Sequence, residues 1–254
     1  PGGVRVQNVA ADGAMLWALN GIRACQLVSD QFSPELCADG NGGGIVTWVD
    51  RRNDGSGDLY AQRIDATGAI QWTTGGTLLD DGPGEQGQAS LTRSGTNGTF
   101  IAWSTPPDTV NMDNNIKAQL LDDGSIALWE PLGKLICGQP LYQQFPKVVE
   151  DLNGDAVFAW LDARNGTDNN LFMQRITTAG SVVWPADGAP IANGGLSDHW
   201  WSSTYSVLNN QLLTMANGTA AVWNKVPVGF FLGDIYASLM GMDGTPVSTA
   251  VNEQ

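Results

Sequence analysis

The chain has 254 residues, with 26 acidic against 12 basic side chains and a net charge of −14. That balance argues against nucleic acid as a partner, because phosphate affinity rests on Lys and Arg, and against docking on an anionic membrane; no apolar run approaches the ~20 residues of a spanning helix. One histidine, His199, cannot build a multi-His zinc site, and no G-x-S-x-G elbow, Walker A loop or H-E-x-x-H motif occurs.

Read from the first residue, the chain shows an internal repeat. VQNVAADGAMLW (6–17) returns as AQRIDATGAIQW (61–72), AQLLDDGSIALW (118–129) and MQRITTAGSVVW (173–184), and in worn form as ASLMGMDGTPVS (237–248). Gln7, Gln62, Gln119 and Gln174 are spaced 55, 57 and 55 residues apart. A second segment lies between these copies: GGIVTWVD (43–50), GTFIAWST (98–105), DAVFAWLD (155–162) and GTAAVWNK (218–225). Most of the ten tryptophans therefore stand at recurring positions and read as scaffold.

The first complete unit, 33–72, reads as four short strands: SPELCAD, GGIVTWVD, DLYAQRID and GAIQW. In the third, Leu59, Ala61 and Arg63 alternate with Tyr60, Gln62 and Ile64, the period of a strand. The joints DGNGGG, NDGSGD, DATG, LNGD and DDG supply Asn, Asp and Gly for turns. Further units follow at 89–129, 145–184 and 200–248, preceded by a half repeat at 4–17. Four strands per repeat is the signature of an all-β propeller. The expectation is a single propeller domain or fragment over 1–254, five-bladed or part of a larger ring. Eighteen strands are expected, two short of five full blades, so the chain is expected to continue past Gln254 as part of a longer protein or surface complex.

The best-kept units are TWVDRRNDGSGDLYAQRIDATGAIQW (47–72) and AWLDARNGTDNNLFMQRITTAGSVVW (159–184). They resemble the W-x-D-x-R-N…A-Q-R…G-x-x-x-W repeats of large secreted Bacteroidota propeller proteins. The resemblance implies a propeller fold, a secreted or cell-surface location, export by the type IX secretion system, and roles in adhesion, motility or glycan use. A likeness to the Asp-box turn of sialidase-type propellers lacks the serine and the spacing, so no sialidase chemistry is carried over.

Subtracting the repeat leaves the candidate sites. Asp50 with Arg52 and Asp162 with Arg164 are equivalent pairs, expected to meet as carboxylate and guanidinium across a blade turn; Arg63 and Arg175 are equivalents of the same scaffold kind. Asp151, Asn153 and Asp155, and likewise Asp54, Ser56 and Asp58, place oxygen ligands at alternate positions, the pattern of a calcium turn, without the downstream Glu of an EF-hand. Cys25 and Cys137 are equivalent; Cys25 and Cys37 could close a short loop, or the thiols could sit buried as small hydrophobes. N-G-T sequons occur at Asn97, Asn165 and Asn217, and Asp108-Thr109-Val110 resembles a D-[ST]-apolar O-glycosylation motif.

The last unit departs most from the repeat. His199, Trp200 and Trp201, with Phe230 and Phe231 on a lengthened loop, form an aromatic set suited to a protein hot spot or a sugar face. The main expectation is therefore a non-catalytic propeller that binds a protein or glycan partner. Two alternatives stand beside it: a propeller glycan hydrolase or lyase using turn carboxylates at about 5–9 Å separation, and a structural spacer in a long adhesin.

Overall fold

The structure, a computed structural model, describes residues 3–53, 55–95, 98–107, 113–166, 169–196, 211–225 and 234–248. Among them every regular element is a strand. A two-stranded half-blade pairs β1 (Arg5–Val6) with β2 (Ile22–Arg23). Four complete blades follow. The first holds β3 (Gln31–Ala38), β4 (Gly44–Asp50), β5 (Asp58–Ile64) and β6 (Thr77–Asp80). The second holds β7 (Gly87–Ser94), β8 (Gly98–Thr105), β9 (Asn115–Asp122) and β10 (Lys134–Cys137). The third holds β11 (Gln143–Glu150), β12 (Ala156–Asp162), β13 (Asn169–Ile176) and β14 (Ala189–Leu196), and the fourth β15 (Gln211–Met215), β16 (Gly218–Lys225), β17 (Asp234–Gly241) and β18 (Pro246–Ser248).

Each complete blade is an antiparallel meander in chain order. The first strands of successive blades lie side by side, β3 against β7, β7 against β11 and β11 against β15, which makes them the inner strands of a radial array. The fold is an all-β propeller of five sheets, one of them two-stranded.

Recurring residues account for the assembly. Trp48, Trp103 and Trp160, on the second strands, are fully buried between blades. The clusters they join run from one blade into the next: Phe100 and Trp129 of the second blade pack with Phe158 of the third. Gly76 shows what such packing demands. Its φ is +95°, and an added Cβ would stand 2.5 Å from Trp48 Cη2, so only glycine meets both conditions.

The repeated glutamines clamp the outer hairpin. Gln62 Nε2 donates to Thr73 O at 2.9 Å, while its Oε1 accepts the N–H of Arg63 and of Trp72. Gln7, Gln119 and Gln174 do the same. This explains one departure from the sequence reading. GAIQW was expected to be the fourth strand, yet it carries only the bridge Ile64–Ile70, and the ladder resumes at Thr77. Past that bridge the Trp72 N–H is taken by the Gln62 side chain, so the ladder breaks there.

The Trp at the end of each such segment binds blade to blade. Trp17, Trp72, Trp129 and Trp184 donate their Nε1–H to Ala66 O, Asp123 O, Thr178 O and Met242 O, at 3.0, 2.9, 3.0 and 3.1 Å. Each acceptor lies in the next unit's turn.

Candidate functional site

Two rims flank the inner strands. At the end where those strands finish, Asp39 Oδ1 accepts the N–H of Asn41 and Gly43, both at 2.8 Å, and Oδ2 accepts Arg63 Nε at 3.1 Å. Burial works to raise the Asp39 carboxyl, but those backbone bonds and Arg63 outweigh it and hold it below the usual range. Two blades on, Asp151 Oδ2 and Asp155 Oδ2 each accept from Arg175, at 2.7 Å. Arg63 and Arg175 are thus scaffold, as expected.

The calcium turns can be described in part. In the first, Asp151 Oδ1 also takes the N–H of Asn153 and Asp155, and Asp155 Oδ1 the N–H of Thr178. All four carboxylate oxygens therefore already accept a hydrogen bond. In the second, Asp58 Oδ2 accepts from Asn53, and Ser56 has a polar partner of its own; Asp54 lies outside the described residues. Among the described residues no three His, Cys, Asp or Glu side chains gather as a metal site.

At the opposite end the second strands of the first and third blades finish in a Trp–carboxylate–cation node. Asp50 Oδ2 accepts Trp48 Nε1 at 3.0 Å, Gln31 Nε2 at 3.1 Å, and the guanidinium of Arg52, which stacks 3.8 Å over the Tyr60 ring. Burial opposes the charge on Asp50, but the bonds from Arg52, Ser29 and Trp48 prevail and lower its pKa. Asp162, Trp160, Arg164 and Phe172 repeat the arrangement. The equivalent cysteines sit beneath these arginines: Arg52 Nη2 donates to Cys25 Sγ at 3.3 Å and Arg164 Nη2 to Cys137 Sγ at 3.2 Å. Cys25, Cys37 and Cys137 are all free thiols, so no Cys25–Cys37 loop is closed. Burial pushes Cys137 up to about 12, which keeps it protonated.

Above these nodes, at the starts of the inner strands, stands a group that sequence reasoning passed over. Asp30 precedes β3, and Glu85, 55 residues on, precedes β7 at the same repeat position. Arg51, whose repeat equivalents are Pro106 and Ala163, reaches both: Nη2 lies 2.9 Å from Glu85 Oε2 and Nη1 3.7 Å from Asp30 Oδ2. Its guanidinium also rests 4.7 Å over the Phe32 ring. One guanidinium touching both acids keeps the bonded oxygens no more than about 9 Å apart, which does not exceed the roughly 9.5 Å at which carboxyl pairs still cleave glycosidic bonds. Both acids are solvent-accessible. The available signal was the recurrence of an acid directly before a buried Gln, as Asp30-Gln31 and Glu85-Gln86.

The aromatic set read as a binding surface, His199, Trp200, Trp201, Phe230 and Phe231, lies outside the described residues.

No protein-family description matches the chain, and no curated protein matches it either. Solved structures do. A protein of unknown function from Dyadobacter fermentans superposes with a TM-score of 0.53 at 11% identity, over 96% of this chain and 71% of its own. An endo-arabinase from Bacteroides thetaiotaomicron superposes with a TM-score of 0.50 at 9% identity, over 92% of this chain and 84% of its own. These likenesses establish the fold and link it to bacterial propellers. They also correct the sequence-based expectations of a non-catalytic binding module and of no enzymatic activity: the second structure is a glycan-cleaving enzyme on this architecture.

Proposed function

We propose that the chain is a bacterial propeller glycan hydrolase whose working acids are Asp30 and Glu85. The observation that carries this reading is their placement, at one repeat position just before adjacent inner strands and bridged by Arg51. The fold shared with an endo-arabinase supports it. In glycoside hydrolysis one carboxyl group protonates the leaving oxygen while the other acts on the opposite side of the sugar, as nucleophile or through a water. Arg51 fixes the two groups relative to each other, and the Phe32 ring on which its guanidinium rests holds it in place. The site of action is taken to be extracellular, where polymeric glycans are met.

The test is release of reducing ends from a panel of neutral polysaccharides, arabinan included. The expected result is turnover by the wild-type chain, lowered by roughly 10²–10⁴-fold in Asp30→Asn and in Glu85→Gln. Absence of turnover on every polymer, or equal turnover by wild type and both variants, overturns the assignment.

A further inference from the structure

In the half-blade, β1 holds the place that β5, β9 and β13 hold in complete blades. Those strands pair on both edges, whereas among the described residues β1 pairs only with β2. What the complete blades cover beside that second edge is bare here. Val9, just past β1, stands two residues after Gln7, as Ile64, Leu121 and Ile176 stand after Gln62, Gln119 and Gln174. Those three are at most 1% exposed, while Val9 is 58% exposed.

An indole seat is kept as well. Gly21 is the repeat equivalent of Gly76, Gly133 and Gly188. In the complete blades a Cβ added there would stand 2.4 to 2.5 Å from the ring of Trp48, Trp103 or Trp160. At Gly21 the backbone wall is the same, with Val6 O at 2.7 Å where Gly76 has Ala61 O at 3.1 Å, but the nearest atoms belong to Val6 and Arg5 in place of an indole. Arg5 itself holds the position of Tyr60, Lys117 and Phe172, which face Trp48, Trp103 and Trp160 directly across the ladder. Lys117 there carries its charge to the carboxylate that receives the Trp103 indole. Arg5 is exposed and donates to Asn20 O and Gly21 O, at 3.1 and 3.2 Å, with no carboxylate partner among the described residues.

We propose that the open edge of β1 docks an extended segment of a partner polypeptide with the pattern small-x-x-x-Trp-x-acid. The segment adds to the sheet beside β1 in the antiparallel register of β4 on β5. Its tryptophan then faces Arg5 with the ring over Gly21. The small residue four before it lies opposite Val9, as Gly44, Thr99 and Ala156 lie opposite Ile64, Leu121 and Ile176. The acid, in the place of Asp50, receives the indole N–H and answers the Arg5 charge. An aliphatic strand leaves the seat on Gly21 unfilled, and a basic one meets Arg5 with like charge. The pattern is that of β4 itself, Gly44–Asp50, so the occupant is defined by an interface the molecule already uses between its own strands. The inference is independent of the hydrolase reading.

The probe is a peptide with the sequence of residues 43–50, GGIVTWVD, blocked at both ends and titrated into the isotope-labelled full chain. Expected are backbone amide shifts at Arg5, Val9 and Gly21, and a Kd at least about tenfold weaker for the peptide carrying Trp48→Ala. The peptide carrying Asp50→Asn should bind the wild-type chain at least about threefold more weakly. Arg5→Gln, a change at an exposed side chain, should leave the melting temperature in place and abolish that difference. Unshifted amides at those three residues, equal binding of the Trp48→Ala peptide, or an Asp50→Asn difference that persists in Arg5→Gln overturns the proposal. Concentration-dependent self-association that moves the same amides without peptide would give the edge to a second copy of the chain, and overturns it too.

Discussion

Trp103 Nε1 donates to Asp80 Oδ2 at 2.8 Å, across a blade boundary. In the first and third blades the carboxylate that receives this indole comes from the same strand as the tryptophan, at Asp50 and Asp162. In the second blade that place is Thr105, and the acid has moved to the position held elsewhere by Cys25 and Cys137. The cation has moved as well. Lys117, at the repeat position of Tyr60 and Phe172, reaches Asp80 at 3.0 Å in the role of Arg52 and Arg164. The node is kept while two of its three members change address.

Asp80→Cys should therefore strip the second blade of its acid, leaving the buried Trp103 indole without its acceptor and Lys117 without its counter-charge. A loss of about 3–5 kcal/mol is expected in urea denaturation. Adding Thr105→Asp to that variant should recover at least about 1 kcal/mol. No recovery would show that the two positions are not interchangeable.

Gly76→Ala should cost several kcal/mol, because the new methyl group meets the Trp48 ring and the backbone sits at φ +95°. Gly55→Ala makes the control: it shares a positive φ, +82°, but has open space around it, so its loss should stay near about 1 kcal/mol. Comparing the two melting temperatures separates steric from conformational cost.

Acid should destabilise the fold by a predictable route. Asp39 and Asp50 have pKa values lowered in the folded state. Their contribution is present in full above the unfolded value, about 3.9, and is lost as pH falls through the lower folded values. Stability measured from pH 5 downward should drop in that window, with a shallower slope in Asp39→Asn. An unchanged slope would mean that the loss arises elsewhere.

Arg51→Gln should separate stability from activity. Its two ion pairs are solvent-exposed, and such pairs contribute about 0–1 kcal/mol. The melting temperature should hardly move, while turnover on the responsive glycan falls at least about tenfold as the acids lose their shared anchor. Equal turnover would mean that Arg51 has no part in positioning them.

Much of this fold was legible because recurrence filters noise. Trp48, Trp103 and Trp160 stood out by spacing, and the Asp50–Arg52 and Asp162–Arg164 contacts followed from their equivalence. The fourth strand was misplaced because Gln62 satisfies the Trp72 N–H from a side chain, a substitution that hydrophobic alternation does not register. Asp80 escaped for a related reason: its role is fixed by a neighbour in another blade, and its own repeat column holds cysteines. Asp30 and Glu85 read as ordinary turn acids until adjacent inner strands brought them to either side of Arg51. Periodicity finds what is repeated, and this candidate site depends on Arg51, which is not.

The indole staples carry a last consequence. Donor and acceptor both recur with the period of the repeat, so Trp72 bonds the turn after it whichever unit supplies that turn. Excising or duplicating one whole unit leaves every remaining indole facing a carbonyl, while an insertion of partial length strands one. A lineage of such chains can thus gain and lose blades in whole steps, and the joints between units set the grain along which the gene can be cut.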